Sequence, residues 1–146
     1  MIYTKLTKKA MVLAFEKHKN QLDKSNIPYM YHIFNVAKDM DDEVTTCVAL
    51  LHDIIEDTDI TLNDLYNLGF YEEIIEAIKC MSHPSHLSEE EYLNYIKEIK
   101  DNKIARKVKL ADLKHNSLLS RFDTITDKDI DRYNKYQKAI AILEGK

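Results

Sequence analysis

The sequence is poor in the residues that build tight turns. Its 146 residues include two glycines and two prolines, too few for the turns of a β-sandwich, a β-barrel or a Rossmann sheet. Long apolar runs are also missing, since no stretch approaches the ~20 apolar residues of a membrane span. The N-terminal MIYTKLTKKAMVLAF lacks the continuous apolar segment and cleavage site of a secretory signal. These absences predict a soluble, cytoplasmic, all-α protein without a membrane partner.

The chain also has few cysteines and no excess of positive charge. Cys47 and Cys80 stand alone within apolar helical patterns, so we expect two reduced core residues and no disulfide framework. The formal net charge is −4, with lysines interleaved among acids, which argues against a nucleic acid duplex as partner. A hydrophobic content of 45% over this length suits one globular domain, residues 1–146.

Apolar residues recur at helical spacing along nearly the whole chain. The predicted helices cover about residues 6–18, 29–39, 43–55, 62–67, 70–81, 89–99, 104–119 and 127–143. Thr61 with Asp64 and Ser88 with Glu91 match capping boxes. The pattern predicts a compact bundle of six to eight helices. The polar segment 20–28 is long for a connection in such a bundle, so it is a candidate binding loop.

Four polar residues interrupt apolar helical faces where a simple bundle would carry Leu or Ala: His32, His52, Asp53 and Asp112. Taken singly, each is better explained as a core histidine, a chance HD dipeptide or a buried ion-pair partner. Together they bring two imidazoles and two carboxylates from three helices. This mixed nitrogen and oxygen set suits a divalent metal such as Mn, Fe, Co, Ni or Zn and differs from the Cys-rich sets of structural zinc.

Two more acidic residues follow the His52-Asp53 pair by one helical turn. Glu56 lies at i+4 from His52, and Asp57 lies at i+4 from Asp53. On a continuous helix His52 and Asp53 are about 100° apart, so both can approach one point. All four side chains are therefore predicted to line a single wall.

A polar strip marks the later segment VKLADLKHN, residues 108–116. Lys109, Asp112 and Asn116 fall at i, i+3 and i+7 between apolar neighbours, so they share one helix face. An Asp among apolar residues needs a counter-charge. The segment therefore predicts either a ligand site or a buried ion pair at Asp112.

Taken in order, these segments resemble the HD superfamily of metal-dependent phosphohydrolases. Within it they are most similar to the hydrolase domain of RelA/SpoT alarmone enzymes and to small stand-alone alarmone hydrolases. The resemblance covers nearly the whole chain and rests on HKNQLDKSNIPYMYH (18–32), ALLHDIIEDT (49–58), VKLADLKHN (108–116) and, more weakly, RYNKY (132–136). It implies hydrolysis of the 3′-pyrophosphate of (p)ppGpp with one bound divalent metal, commonly Mn²⁺.

The resemblance also implies roles for ten residues by position. The implied metal ligands are His32, His52, Asp53 and Asp112. The acidic pair implied to position or deprotonate the attacking water is Glu56 and Asp57. The implied contacts to the nucleotide or its phosphates are Lys24, Asn116, Arg132 and Tyr136. Of these, Arg132 and Tyr136 lie at i and i+4 and fit equally well as surface and packing residues.

The chain departs from the family pattern in the first loop. Asp23-Lys24 stands where these hydrolases usually have Arg-Lys, whose Arg packs against guanine. A carboxylate cannot stack as a cation and would repel a phosphate, although it could accept hydrogen bonds from a base edge or ribose hydroxyls. Asn26 replaces the usual Gly and still tolerates a positive φ, and Ile33 replaces the usual Pro.

Three functions stay open at this point. The first is (p)ppGpp hydrolysis, and the second is hydrolysis of a different nucleotide, which Asp23 motivates. The third is a non-catalytic nucleotide-binding regulatory module, although no catalytic position is missing. The remaining histidines, His18, His83, His86 and His115, are predicted not to bind metal, and the sequence leaves a homo-oligomeric state open.

Overall fold

Residues 1–145 are the part of the chain that the structure, a computed structural model, describes, and they form nine α-helices and one 3-10 helix. The helices α1 to α9 are, in chain order, Lys5–His18, Tyr29–Ala37, Glu43–Leu51, Ile54–Asp57, Leu62–Asn67, Glu72–Met81, Glu89–Ile99, Lys103–Asn116 and Asp127–Leu143. The 3-10 helix, Leu119–Arg121, lies between α8 and α9. The predicted all-α class is confirmed, and none of the helices in this part of the chain could cross a bilayer.

Polar caps set the starts of several helices. The capping boxes predicted at Thr61 and Ser88 are both present, with each side chain accepting a hydrogen bond from the N3 amide. Thr126 forms another box at the start of α9. Each box satisfies amides that the first helical turn leaves without partners. The sequence therefore located these boundaries to within a residue.

The central helix is α3, which packs against α1, α2, α6 and α8. Every residue from Thr45 to Leu51 is buried, so the helix has no solvent face. Cys47 is buried on α3, whereas Cys80 is half-buried at the edge of the core, and both are free thiols. Because α3 is surrounded, whatever follows its C-terminal end is placed deep in the molecule.

The predicted helix over residues 43–55 was wrong in its continuity. It ends at Leu51, because Asp53 adopts φ −101° and ψ 0° outside the helical region. A separate one-turn helix, α4, follows, so one of the eight predicted helical segments is divided in two. His52 and Asp53 therefore lie at a corner between two helices and not along one helix face. The predicted helix over 104–119 also stops early, at Asn116, and the 3-10 turn follows.

Candidate metal centre and nucleotide cleft

Four predicted ligands come together at the meeting point of α2, the α3–α4 corner and α8. One ligand atom from each of His32, His52, Asp53 and Asp112 lies within 4.8 Å of all the others. His32 Nε2 is 2.9 Å from Asp112 Oδ1, and His52 Nε2 is 3.0 Å from Asp53 Oδ2. We call these four side chains the quartet. Residues 80 positions apart in sequence thus converge through helix packing alone.

Hydrogen bonds on the far side of each imidazole orient the rings toward the quartet. His52 Nδ1 lies 2.6 Å from the Ala49 carbonyl oxygen, which can only accept, so Nδ1 carries the hydrogen. His52 Nε2 is then turned to the centre, where it is buried without a hydrogen-bond partner. His32 Nδ1 lies 2.7 Å from Nδ1 of His115. Partners of this kind fix ring orientation and tautomer in metal sites.

His115 has a role that the sequence interpretation missed. Burial, together with His32 and Arg121, lowers the pKa of His115 to about 4, so its ring is neutral near pH 7. A neutral ring can accept a hydrogen bond from His32 Nδ1, which leaves His32 Nε2 free for a ligand role. The signal that could have identified it was its i+3 spacing from Asp112 on α8.

The polar strip of α8 converges on Asp112, as its spacing predicted. Lys109 Nζ lies 2.8 Å from Asp112 Oδ2, and Asn116 Nδ2 donates to Asp112 Oδ1 at 3.0 Å. Burial opposes ionisation of Asp112, but Lys109 and the two imidazoles hold its pKa well below the usual range. Asp112 is thus both a buried ion-pair partner and a member of the quartet. The ion pair that the sequence offered as one explanation is present, and the same geometry is compatible with a ligand role.

The residues present fit a divalent metal. Four ligand atoms about 2.1 Å from one ion lie roughly 3 to 4 Å apart, and the contacts that join an imidazole to a carboxylate in the quartet measure 2.9 to 3.8 Å. Two imidazoles and two carboxylates supply borderline and hard donors. His52 Nε2 is buried and makes no hydrogen bond, and it faces Asp53 Oδ2 at 3.0 Å and Asp112 Oδ1 at 3.3 Å. The quartet could therefore hold one metal ion, and His83 and His86 are not among its members.

The quartet lies at the floor of a cleft of about 520 Å³, a size typical of small-molecule sites. Asp53, Glu56 and Asp57 line this cleft, whereas His52 is buried beneath it, which corrects the predicted single wall of four side chains. Glu56 Oε1 accepts the His83 amide at 2.7 Å. Burial, followed by Asp53, raises the pKa of Asp57, and burial also raises that of Glu56. Both carboxylates are thereby made better proton acceptors.

Cations gather at the rim of the cleft, near the N-terminal half of α9. Lys24, Arg132, Tyr136 and Lys135 all line it, and the first three were predicted. Burial and the neighbouring cations lower the pKa of Lys24 and of Lys135. The repulsion among these cations would be relieved by an anion bound between them. Lys135, whose Nζ lies 4.6 Å from the Tyr92 ring centroid, is a rim residue that the sequence interpretation missed.

Asp23 is occupied by partners within the protein. Its Oδ1 accepts hydrogen bonds from the amides of Ser25 and Ile27 and from the Ser25 hydroxyl, and Arg121 Nη1 lies 2.9 Å from Oδ2. These bonds hold the turn at Asn26, whose φ of 64° agrees with the predicted tolerance for a positive φ. The predicted repulsion of a phosphate is therefore offset by Arg121.

Comparisons with known proteins find relatives for most of this chain. No family model matches the chain. A GTP pyrophosphokinase of Myxococcus xanthus is 35% identical over 127 residues, which is 76% of this chain and 16% of the relative. The guanosine-3′,5′-bis(diphosphate) 3′-pyrophosphohydrolase MESH1 of Drosophila melanogaster is 28% identical over 143 residues, covering 88% of this chain and 79% of the relative.

Two further comparisons bear on length and fold. The GTP pyrophosphokinase rsh of Brucella melitensis is 45% identical over 67 residues, which is 43% of this chain and 9% of that relative. The chain thus spans a small part of these long relatives. A solved structure described as a metazoan ortholog of SpoT that hydrolyzes ppGpp superposes with a TM-score of 0.82 at 25% identity. It covers 99% of this chain and 89% of its own.

Proposed function

Because the chain belongs to the HD-domain phosphohydrolases of the (p)ppGpp-hydrolase type, we propose that it is a metal-dependent (p)ppGpp 3′-pyrophosphohydrolase. One observation carries the proposal. A quartet of metal-ligand type lies at the floor of a cleft whose wall carries Glu56 and Asp57 and whose rim is cationic. An acidic base beside a metal site, with cations opposite, is the arrangement that hydrolysis of a phosphate ester requires.

The proposed reaction is the hydrolysis of one ester bond. Water forms a bond to the phosphorus attached to the ribose 3′ oxygen. The bond between this phosphorus and the 3′ oxygen breaks, and the 3′ oxygen takes up a proton. The products are inorganic pyrophosphate and the guanosine 5′-diphosphate or triphosphate. A metal bound by His32, His52, Asp53 and Asp112 would acidify water and neutralise phosphate charge.

Glu56 and Asp57 are the proposed proton acceptors for the attacking water. Their pKa values are raised by burial, which brings each closer to the range in which a carboxylate is an effective general base. The two residues differ in their surroundings, because the His83 amide holds the Glu56 carboxylate while Asp57 lies next to Asp53 in the charge cluster. We assign the base to Glu56 and water positioning to Asp57.

Lys24, Arg132 and Tyr136 are the proposed contacts to the substrate phosphates, and Asn116 to the part of the nucleotide nearest Asp112. Arg132 is held by Asp129 on the same helix, so its guanidinium is fixed before a ligand arrives. A fixed guanidinium binds phosphate oxygens at lower entropic cost than a free one.

Mn²⁺ is the proposed metal. The donor set of two imidazoles and two carboxylates accommodates it, and the sequence resemblance implies the same ion. The test is reconstitution of stripped protein with Mn²⁺, Fe²⁺, Co²⁺, Ni²⁺, Zn²⁺ or Mg²⁺, followed by turnover and metal analysis. If Mn²⁺ gave less turnover than the other ions under matched occupancy, the assignment would fail.

The alternative function, hydrolysis of a different nucleotide, loses the observation that motivated it. Asp23 was a candidate reader of a different base or of ribose hydroxyls, but its oxygens already accept bonds from Ser25, Ile27 and Arg121. No other contact in the described cleft favours a different substrate class. A non-catalytic module is likewise unsupported by any feature of the site.

The deciding experiment is product analysis after incubation of Mn²⁺-loaded protein with ppGpp and a panel of other nucleotides. The Asp53→Ala variant and a chelated sample serve as controls. Release of pyrophosphate from ppGpp, absent in both controls, is the expected result. Turnover of another nucleotide with inert ppGpp would move the function to the alternative substrate, and wild-type turnover by Asp53→Ala would overturn the site.

Two other predictions concern the protein in the cell. The proposed substrate is a free nucleotide, in keeping with the predicted cytoplasmic location, which fractionation of the source cells would test. Homo-oligomerisation stays a prediction from the sequence, to be tested by light scattering of the purified chain.

A further inference from the structure

Arg121 is a charged residue of the cleft to which the proposed mechanism assigns no role. Its side chain lines the cleft and is 14% exposed, while the side chain of its partner Asp23 is 9% exposed. Its Nε is buried and has no hydrogen-bond partner. Enclosing a guanidinium with incomplete pairing is costly, so the position calls for a function beyond filling space.

Apolar side chains share the cleft with this guanidinium. The Phe122 ring centroid is 5.7 Å from Arg121 Cζ, and Leu22 and Leu119 line the same cleft. Leu22 is 61% exposed, which leaves apolar surface open to a ligand. A planar cation among apolar side chains offers a face for stacking of an aromatic ring.

Charge separates this part of the cleft from the cationic rim. Arg121 is neutralised by Asp23 at 2.9 Å, whereas the rim carries three cations, Lys24, Arg132 and Lys135, with Asp129 as the carboxylate that lines the cleft among them. Lys24 and Lys135 accordingly have their pKa lowered partly by neighbouring cations. A phosphate gains most where positive charge is uncompensated. The Arg121 end is therefore the better place for the uncharged aromatic part of a nucleotide.

We propose that the nucleobase of the substrate stacks on the guanidinium of Arg121, and that Asp23 is a positioning residue that holds this guanidinium in the cleft wall. The inference rests on the proposed function, since it assigns one end of the same cleft. Stacking on a guanidinium tolerates any base, so Arg121 contributes affinity for purine nucleotides without distinguishing guanine from adenine.

The test separates base binding from phosphate binding. In Mn²⁺-loaded wild type, Arg121→Gln and Arg121→Lys, calorimetry measures the affinity for GDP, for ADP and for inorganic pyrophosphate. Loss of the planar cation should weaken GDP and ADP binding by on the order of tenfold, with pyrophosphate affinity unchanged. For ppGpp hydrolysis, the same variants should raise KM and leave kcat near the wild-type value.

Two further variants guard against a purely structural effect. Asp23→Asn keeps an acceptor for the Ser25 and Ile27 amides but loses the charge, so a smaller loss of GDP affinity is expected, again without a change for pyrophosphate. Arg106→Gln is the matched control, because Arg106 Nε donates to the Leu143 carbonyl outside the cleft. Thermal unfolding shows which variants fold. If Arg121→Gln does not fold, the GDP and pyrophosphate affinities of Asp23→Asn decide the test.

Several outcomes would overturn the inference. Equal weakening of GDP and pyrophosphate would make Arg121 a phosphate contact, and no change in either would make the ion pair a purely structural link. Wild-type protein that binds neither GDP nor ADP would also reject it. If ppGpp proved inert while GDP binding still depended on Arg121, the proposed function would fail and this inference would stand.

Discussion

The floor and the rim of the cleft are built on different principles. The floor is the quartet, in which His32, His52 and Asp112 are at most 3% exposed and are held by helices packed in the core. The rim consists of half-buried or exposed side chains from the first loop and α9. Interactions at the floor are desolvated and strong, whereas those at the rim are screened by water. Substitutions at the floor should therefore cost far more than substitutions at the rim.

The largest effect is expected at Asp112. Asp112→Asn removes a metal ligand and leaves Lys109 buried without its counter-charge, so we expect a loss of about 3 kcal/mol in stability and about a thousandfold or more in turnover. Thermal unfolding, metal analysis and ppGpp hydrolysis measure the three consequences. Asp41→Asn, which breaks an exposed pair with Lys107, is the control and should leave turnover unchanged.

The double variant Lys109→Met/Asp112→Asn separates the two roles of Asp112. Removing both charges of a buried ion pair costs far less stability than removing one and leaving the other unpaired, so folding should recover while metal binding and turnover stay lost. Recovery of turnover along with stability would contradict the ligand role.

Glu56 should show the next largest effect. Glu56→Gln keeps an acceptor for the His83 amide but removes the base, so kcat should fall by about 10² to 10⁴ with metal content unchanged. In the wild type, kcat should fall as pH drops through the raised pKa of Glu56, and this limb should be missing in the variant. Steady-state kinetics from pH 4.5 to 8 test both points, with the exposed Glu76→Gln as control.

Glu56→Gln should lower kcat but raise the free energy of unfolding at neutral pH. A carboxyl whose pKa is raised by folding favours the folded state only while protonated, and that contribution is lost as pH rises through the raised value. Metal-free Glu56→Gln should therefore be more stable than the wild type at pH 7, and the difference should vanish in acid. Equal stability of the two proteins at pH 7 would argue that burial does not perturb this carboxyl.

A substitution of His115 tests whether a residue that contacts the quartet from behind contributes to metal affinity. His115→Phe removes the partner of His32 Nδ1, so metal affinity should fall by about 10-fold to 100-fold, while turnover at saturating metal should approach the wild-type value. Metal titration with a competing chelator gives the affinity. Lys114→Met, one residue away on the exposed face of α8, should change neither quantity, and an unchanged affinity in His115→Phe would limit the floor to the quartet.

Lys135 tests the rim. Lys135→Met should raise KM for ppGpp by about threefold to tenfold at low salt and leave kcat unchanged. The matched Lys138→Met removes an exposed lysine paired with Glu89 at 3.2 Å and should have no effect. The difference between the variants should shrink as salt increases, and an effect that did not depend on salt would show that Lys135 acts through packing on Tyr92.

The smallest effect on activity is expected in the first loop. Asn26 has φ 64°, so Asn26→Ala should cost about 1 kcal/mol of stability and change KM only slightly, whereas Asn26→Gly should be neutral. Chemical denaturation of the two variants gives the comparison. Equal stability of both would mean that the loop adopts another conformation in solution.

Some features were predictable because they depend on local physics. Capping boxes at Thr61 and Ser88, the helical periodicity and the polar strip of α8 follow from interactions within one or two turns. The order of His32, His52-Asp53 and Asp112 indicated a metal site because such groups are too costly to bury without a partner. The break at Asp53 was not predictable in this way, because the apolar pattern continues through Ile54 and Ile55 while the backbone leaves the helix.

The sequence by itself determined the all-α class and the approximate helices, since both depend on short-range spacing, and the order of its motifs indicated the residues of the candidate centre. The tertiary structure alone decided that His115 contacts His32, that Lys135 joins the rim and that Arg121 pairs with Asp23. His115 and His32 are 83 residues apart in sequence, and Arg121 and Asp23 are 98 residues apart. Local spacing in the sequence cannot indicate contacts between residues so far apart. Helix packing brings them together, because burying the apolar faces fixes which polar side chains must meet.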